Sequence, residues 1–291
     1  MNLQLLETLP PQISFAKLSA SANDFVVLDN RDLSFSATAS LLAQRVCARR
    51  YSVGADGLIL VEPSQVATVR IRYFNPDGHE FNTCGNGGRC AARYTQLFIK
   101  NEPRITLETN IGIVNAEIHE TSVTLQLVSP SRVNLNIEAR LDGNPFRGHF
   151  VQVGDPHFVV PYENIRNIDF VSIARRLGHH AAFGSAGTNV HFVEITDRTH
   201  MKIRSFERGV EDETLACGSG CVSAAVSTHL DGKTDPPVCF EPHSGIPLIV
   251  HFVSGHDNNI PDPIYLEGEA RLVYKGALTR EALFGFPEKH L

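Results

Sequence analysis

Thr83-Cys84-Gly85-Asn86-Gly87-Gly88-Arg89-Cys90 and, 133 residues further on, Ala216-Cys217-Gly218-Ser219-Gly220-Cys221 carry the same pattern. Each sets a cysteine before a glycine-rich piece that runs into a helix-like stretch, Ala91-Ala92-Arg93-Tyr94 in one case and Val222-Ser223-Ala224-Ala225-Val226 in the other. A cysteine at a helix N-terminus sits among unpaired N–H groups at the positive end of the helix dipole. That setting makes thiolate accessible near neutral pH. The glycines admit a carboxylate or phosphate to the same N–H groups. The spacing of 133 recurs outward from the cysteines: Phe25-Val26-Val27 answers to Phe158-Val159-Val160, Gly54-Ala55-Asp56 to Gly187-Thr188-Asn189, and Asn75 to Arg208. A constant offset over separated landmarks implies two lobes of one fold, related by an approximate two-fold axis. Equivalent loops are then expected to meet across a cleft, where ligand sites usually lie.

The elements between the landmarks follow from periodicity and turn composition. Residues 13–28 read as two short strands broken at Ser19–Asp24, and Thr38 to Arg50 as a helix with Thr38 or Ser40 as cap. Leu58–Val61 and Val69–Phe74 read as strands, Asn75-Pro76-Asp77-Gly78 as a turn, and 105–128 as a meander of two or three strands. The second half repeats the order. Phe150–Val153 is a strand, Gly154-Asp155-Pro156-His157 a loop and Phe158–Val160 a strand. Phe170–Leu177 is a helix, Val190–Val193 and Met201–Phe206 are strands, and further strands lie near 246–252 and 264–273. The N-terminal lobe is assigned to 12–129, with 277–291 packing back on it, and the C-terminal lobe to 130–276. Residues 1–12 read as a short extension ending at Pro10-Pro11.

Composition removes several classes of function. With 42% hydrophobic and 20% charged residues the chain can bury a core and is not a disordered one. A net charge of −6 lacks the basic surface that nucleic-acid binding needs. No run is long enough to span a bilayer, and Met1–Gln12 has neither a basic start nor a long apolar centre, so no secretory signal is expected. Six cysteines in a chain with this much core do not imply a disulfide framework. Cys47, Cys90, Cys221 and Cys239 read as buried packing residues, and the gaps within the two cysteine pairs do not suit a zinc knuckle. No metal site and no cofactor motif is expected. The partner is a small molecule.

Two weak acids on opposite faces of one carbon are the arrangement that inverts a stereocentre. One thiolate takes the Cα proton and the other thiol returns one from the far side, so each pKa must lie near the working pH. Donors at the helix N-termini stabilise the charge that builds on the carboxylate. Arg208 offers a fork for a second carboxylate, and Asn23, Asn75 and Asn189 offer amides; taken singly, each Asn is equally a turn cap, and Arg208 equally the partner of Glu207, Glu211 or Glu213.

These residues resemble the diaminopimelate epimerase family from Phe15 to about Gly276. The match is carried by Asn23-Asp24-Phe25, Gly54-Ala55-Asp56-Gly57, Phe74–Gly78, the Cys84 segment, Gly187-Thr188-Asn189-Val190 and Glu207–Val210 followed by Glu213–Gly220. The resemblance implies an α+β fold of two pseudo-symmetric lobes, each a strand-rich barrel around a central helix. It implies a cytoplasmic, cofactor-independent isomerase, commonly a homodimer, that interconverts L,L- and meso-diaminopimelate on the route to lysine and peptidoglycan. By that likeness Cys84 and Cys217 are the bases, and Gly85, Asn86, Gly218 and Ser219 hold the reacting carboxylate. Asn23, Asn75, Asn189, Glu207 through its backbone and Arg208 hold the distal end, while His157 and the Glu207 side chain tune the cysteines. The chain departs from the family at Asp155, where Asn is frequent, at Ala22, where Gly is usual, and at Gly57, where some members have Gln. Asp155 would accept from a distal ammonium. The alternatives are a racemase of the same build acting on another amino acid such as histidine, as the related proline racemases also pair cysteines, and a non-catalytic amino-acid-binding protein. Arg208 favours a substrate with a distal carboxylate over an imidazole, and retention of both cysteines disfavours mere binding.

Overall fold

The computed structural model describes residues 6, 8–82, 84–253 and 260–284. It divides into two compact units, one built from 1–125 with 269–291 and the other from 126–268. The sequence reading set these borders at 129/130 and 276/277. The shift at the second border has a plain cause: the strand beginning at Arg271 pairs along its length with the first strand of the chain, so it belongs with the N-terminal unit. Of the expected C-terminal segment, 285–291 lie outside the described residues, as does Thr83.

In the N-terminal unit β1 (Gln12–Ala20) and β2 (Asn23–Asp29) form a hairpin, and β3 (Gly57–Glu62) runs parallel to β2. β4 (Val69–Phe74) returns antiparallel and carries the short β5 (Glu80–Phe81). β6 (Arg104–Thr109) is parallel to β4, and β7 (Gly112–His119) and β8 (Ser122–Leu127) complete a meander of three strands. The C-terminal unit begins with β9 (Arg132–Leu141) and β10 (Asn144–Val153), then β11 (Asp155–Pro161) and β12 (Asn189–Ile195), a parallel pair. β13 (His200–Glu207), β14 (Asp212–Thr214), β15 (Val238–Glu241), β16 (Leu248–Phe252) and β17 (Ile264–Glu269) follow. β18 (Arg271–Thr279) returns to β1. The 133-residue offset survives as register: Phe25 faces Gly57 and Phe158 faces Val190 across the two parallel pairs.

The helices are α1 (Ala39–Val46), α2 (Gly85–Phe98), α3 (Phe170–Gly178) and α4 (Gly218–Leu230). α2 packs against β1, β2, β3, β4, β6, β7 and β18, and α4 against β10, β11, β12 and β16. Strands cover both helices over most of their length, which explains their composition, while the last turn of α2 reaches solvent at Leu97 and Phe98. From Gly220 to Thr228 every residue of α4 is buried, and all are small or β-branched, apart from Cys221. Its hydroxyls are satisfied within the helix: Ser223 donates to the Ser219 carbonyl at 2.8 Å, Ser227 to Ser223 at 2.7 Å and Thr228 to Ala224 at 2.7 Å. Val222 and Val226, both fully buried, each contribute roughly 1.5–3 kcal/mol. Cysteines 47, 90 and 221 are buried as expected, whereas Cys239 is only half-buried.

Three local readings are corrected. The six-residue break after β1 is a two-residue turn in which Ser21 and Ala22 hold φ of 50° and 65°. Asp155-Pro156-His157 is strand, not loop, because pairing of His157 with Val151 on one side and Asn189 on the other draws it extended. The N-terminal extension is in part a core element: Leu6 and Leu9 are buried in the cluster formed by Leu42, Val46, Leu278 and Leu283. The first turn yields a test. An L-residue in the left-handed region costs about 1–2 kcal/mol, against about 0.5–1 kcal/mol for the extra entropy of an unfolded glycine. Ala22→Gly is therefore expected to stabilise the protein by about 0.5–1 kcal/mol, read as a rise in denaturant midpoint at unchanged slope.

Candidate active site

In the N-terminal unit Cys84 is the N-cap residue of α2. Its sulfur accepts from the Gly87 N–H at 3.2 Å, and its carbonyl takes the first helical bond from Gly88 at 2.7 Å. An N–H aimed at sulfur supports the anion. The N–H groups of Gly85 and Asn86, in the first turn, have no acceptor within the helix and stand ready for an oxyanion. Gly87 and Gly88 are required by their neighbours: a Cβ would come 3.0 Å from the Tyr73 ring and 2.6 Å from Leu125 respectively.

The expected residues Asn23 and Asn86 belong to one buried-to-exposed network. Asn86 Nδ2 faces Asn23 Oδ1 at 3.4 Å, and Asn23 donates to Asp56 at 2.8 Å. Arg89, fully buried, donates to Asn86 Oδ1 at 2.8 Å and to the Ser21 hydroxyl at 2.9 Å. Asp24 closes the network through Lys17 at 2.7 Å and Arg49 at 2.6 Å. Burial works to raise its pKa, yet bonds from Lys17 and Arg49 hold it at about 2. Asn75 stands exposed in the turn after β4, with its backbone tied to His79 and Gly78.

The C-terminal unit repeats the cysteine and changes its surroundings. Cys217 caps α4, its sulfur 3.5 Å from the Ser219 hydroxyl, and it is 5% exposed. Gly218 is held small by Leu266, whose methyl a Cβ would approach to 2.7 Å. Burial pushes the thiol well up, and the carboxylate of Glu207 pushes the same way; the Ser219 hydroxyl and the Gly220 N–H pull it back. Burial also raises Glu207, against hydrogen bonds from Thr214, at 2.6 Å, and from Cys217.

His157 lies behind the sulfur, and its Nδ1 is 2.8 Å from Nε2 of His191, a residue that the sequence reading missed. His191 Nδ1 in turn meets the Ser205 hydroxyl at 2.9 Å. One nitrogen of each imidazole and the Cys217 sulfur lie within 4.8 Å of one another. Burial drives His157 down to about 4 and His191 well below the usual value of 6.5. The sign of the consequence follows. The unfolded chain takes up these protons near pH 6.5 and the folded one does not, so stability present above that pH is lost as pH falls toward 4. We expect a loss of about 1.4 kcal/mol per pH unit per histidine, seen as a denaturant midpoint that drops between about pH 7 and about pH 5. A His157→Gln, His191→Gln double variant should show a flatter dependence.

Arg208 follows β13, and its backbone N–H donates to Asn189 Oδ1 at 2.9 Å. Its guanidinium donates to the Ala186 carbonyl at 2.8 Å and to Asp155 at 2.9 Å. The partner is therefore Asp155 and not Glu207, Glu211 or Glu213; Glu211 is taken by His179 and Glu213 by Arg204. A signal for His191 was present in the duplication. Moved back by the offset, it falls on Leu58, His157 falls on Asp24 and Glu207 on Phe74. His191 and Glu207 thus stand where the other half packs a hydrocarbon, whereas His157 answers to the carboxylate of Asp24.

The diaminopimelate epimerase family model matches residues 15–133 and 149–273. The diaminopimelate epimerase of Chlorobaculum tepidum is 40% identical over 267 residues, spanning 90% of this chain and 100% of that protein. That of Aquifex aeolicus is 35% identical over 285 residues, spanning 93% and 99%. Among solved structures, a Bacillus anthracis phenazine biosynthesis protein of the PhzF family superposes with a TM-score of 0.69 at 18% identity, covering 92% of this chain and 99% of that one. A hydroxyproline epimerase from Agrobacterium vitis, with bound trans-4-hydroxy-L-proline, gives 0.64 at 14% identity, covering 97% of each. At these identities the structural likeness speaks for the fold: two strand-rich halves around central helices. Among the described residues no helix is long and apolar enough to cross a membrane.

Proposed function

The chain belongs to the diaminopimelate epimerase family, and from that premise we propose how its residues carry out the reaction. It is an isomerase interconverting L,L- and meso-diaminopimelate, a step of lysine biosynthesis. In our reading Cys84 and Cys217 are the two bases. One, as thiolate, takes the proton from Cα; the other, as thiol, delivers a proton to the opposite face; the sulfurs finish with roles exchanged. The N–H groups of Gly85 and Asn86, and of Gly218 and Ser219, receive the reacting carboxylate and the charge that spreads onto it. No cofactor enters the scheme. The observation that carries it is the repetition, in each half, of a cysteine capping the central helix.

Arg208, Asn189, Asn75, Asn23 and the Glu207 backbone are assigned to the distal amino-acid end, with Asp155 among them. Asp155 holds Arg208 while its own side chain is 66% exposed, so a distal carboxylate must compete with it for the guanidinium. Asp155→Asn removes that competition and is expected to lower KM for diaminopimelate several-fold, on the order of 1 kcal/mol, with kcat little changed. Six cysteines with no disulfide among them suit a reducing cytoplasm, and a homodimer is the assembly we infer from the family.

The test is incubation with L,L-diaminopimelate and, separately, L-histidine in heavy water, followed by NMR. We expect meso product with deuterium at one Cα from the first and no change in the second. Inversion of histidine alone would overturn the substrate assignment.

A further inference from the structure

His191 is fully buried on β12 at a place where the other half of the chain carries Leu58. An imidazole there forgoes hydration that a leucine never needed, so it must be held by partners. It has them on both sides: the Ser205 hydroxyl at Nδ1, 2.9 Å away, and His157 Nδ1 at Nε2, 2.8 Å away. Its ring also fills the space above Gly220, three residues after Cys217, where any Cβ would collide with it.

We propose that His191 is a positioning residue for Cys217: anchored by Ser205, it holds the His157 imidazole in one orientation beside the sulfur. This rests on the reading of Cys217 as one of the two acid–base groups. A hydrogen bond between two neutral imidazoles has room for one proton, so the tautomers of His191 and His157 are coupled. Neutrality matters because Cys217 must serve as acid in one direction and base in the other. An imidazolium at this distance would trap it as an ion-paired thiolate and stop the return step. The groups bearing on the site are Cys221 from α4, Glu207 and Arg208 from the end of β13, and Asp155 and His157 from β11. Burial keeps both imidazoles neutral at the working pH, and the line from Ser205 through His191 fixes how the His157 ring is turned.

The experiment compares His191→Leu, His191→Gln and Ser205→Ala with the unaltered protein by two readouts. The first is kcat and KM in both directions across pH. The second is the pH dependence of Cys217 alkylation by iodoacetamide without substrate, followed by peptide mass spectrometry. We expect His191→Leu to lower kcat by about 10- to 100-fold with KM within about twofold, and to shift the Cys217 alkylation midpoint by about one pH unit. His191→Gln, whose amide can still meet His157, should recover most of both. Ser205→Ala should shift both in the same direction by less, and it serves if His191→Leu fails to fold. Wild-type kcat per folded molecule with an unmoved midpoint, whatever the loss in Tm, would reduce His191 to packing and overturn the proposal. The alkylation readout needs no turnover. It therefore reports on His191 even if Cys217→Ala were to retain inversion and remove the acid–base reading itself.

Discussion

Cys84→Ala and Cys217→Ala are each expected to lower epimerisation by at least about 10²–10⁴-fold, the contribution of a positioned acid or base. The more telling result lies in exchange without inversion. A variant with one cysteine still presents a base to one face of Cα. In heavy water it should wash deuterium into the isomer whose proton faces the surviving sulfur, returning it with its configuration kept. The other isomer should stay inert. The two variants should divide the isomers between them, one each. Stability should change little at Cys84, which is half exposed, and more at Cys217, which is buried. If either variant inverts at the normal rate, a single base suffices and the two-thiol scheme is wrong.

Arg208→Met should be the next largest loss. The guanidinium donates through two nitrogens, to Ala186 and to Asp155, and is two-thirds buried. Removing one member of a partly desolvated charge pair on substrate binding costs about 2–4 kcal/mol, or roughly 30- to 1000-fold in kcat/KM. Folding should survive, because the orphaned Asp155 is exposed and can be hydrated. The loss should fall on KM for diaminopimelate. It should nearly vanish for a monocarboxylate analogue, which has nothing for Arg208 to hold. Equal losses for both would place Arg208 outside the distal end.

Much of this arrangement was legible because it is repeated. The offset of 133 located both helix caps, the strands that the structure joins into two parallel pairs, and the positions of Asn75 and Arg208. What escaped reading is where local chemistry and tertiary pairing disagree. Gly154-Asp155-Pro156 has the composition of a turn, yet only Gly154 turns, because Asp155 and Pro156 pair with Val153 and Gln152 of β10. The hairpin of β9 and β10 was read only at Phe150–Val153, because much of its length is exposed and polar. Arg208 chose Asp155, 53 residues away in sequence, over three nearer carboxylates. His191 sits in a run of buried residues on β12 and shows its role only beside its counterpart, Leu58. Asymmetry between the halves thus marks chemistry that symmetry alone conceals.

Leu6 and Leu9 share a core with Leu278 and Leu283, and β1 is bonded along its length to β18. The two tails of the polypeptide are thereby fastened into one half, and residues 126–268 are an uninterrupted insertion. During translation, that inner half has every strand it needs before the ribosome has made β18. The half begun first therefore waits for β18, made after every strand of the other, before β1 has its second neighbour.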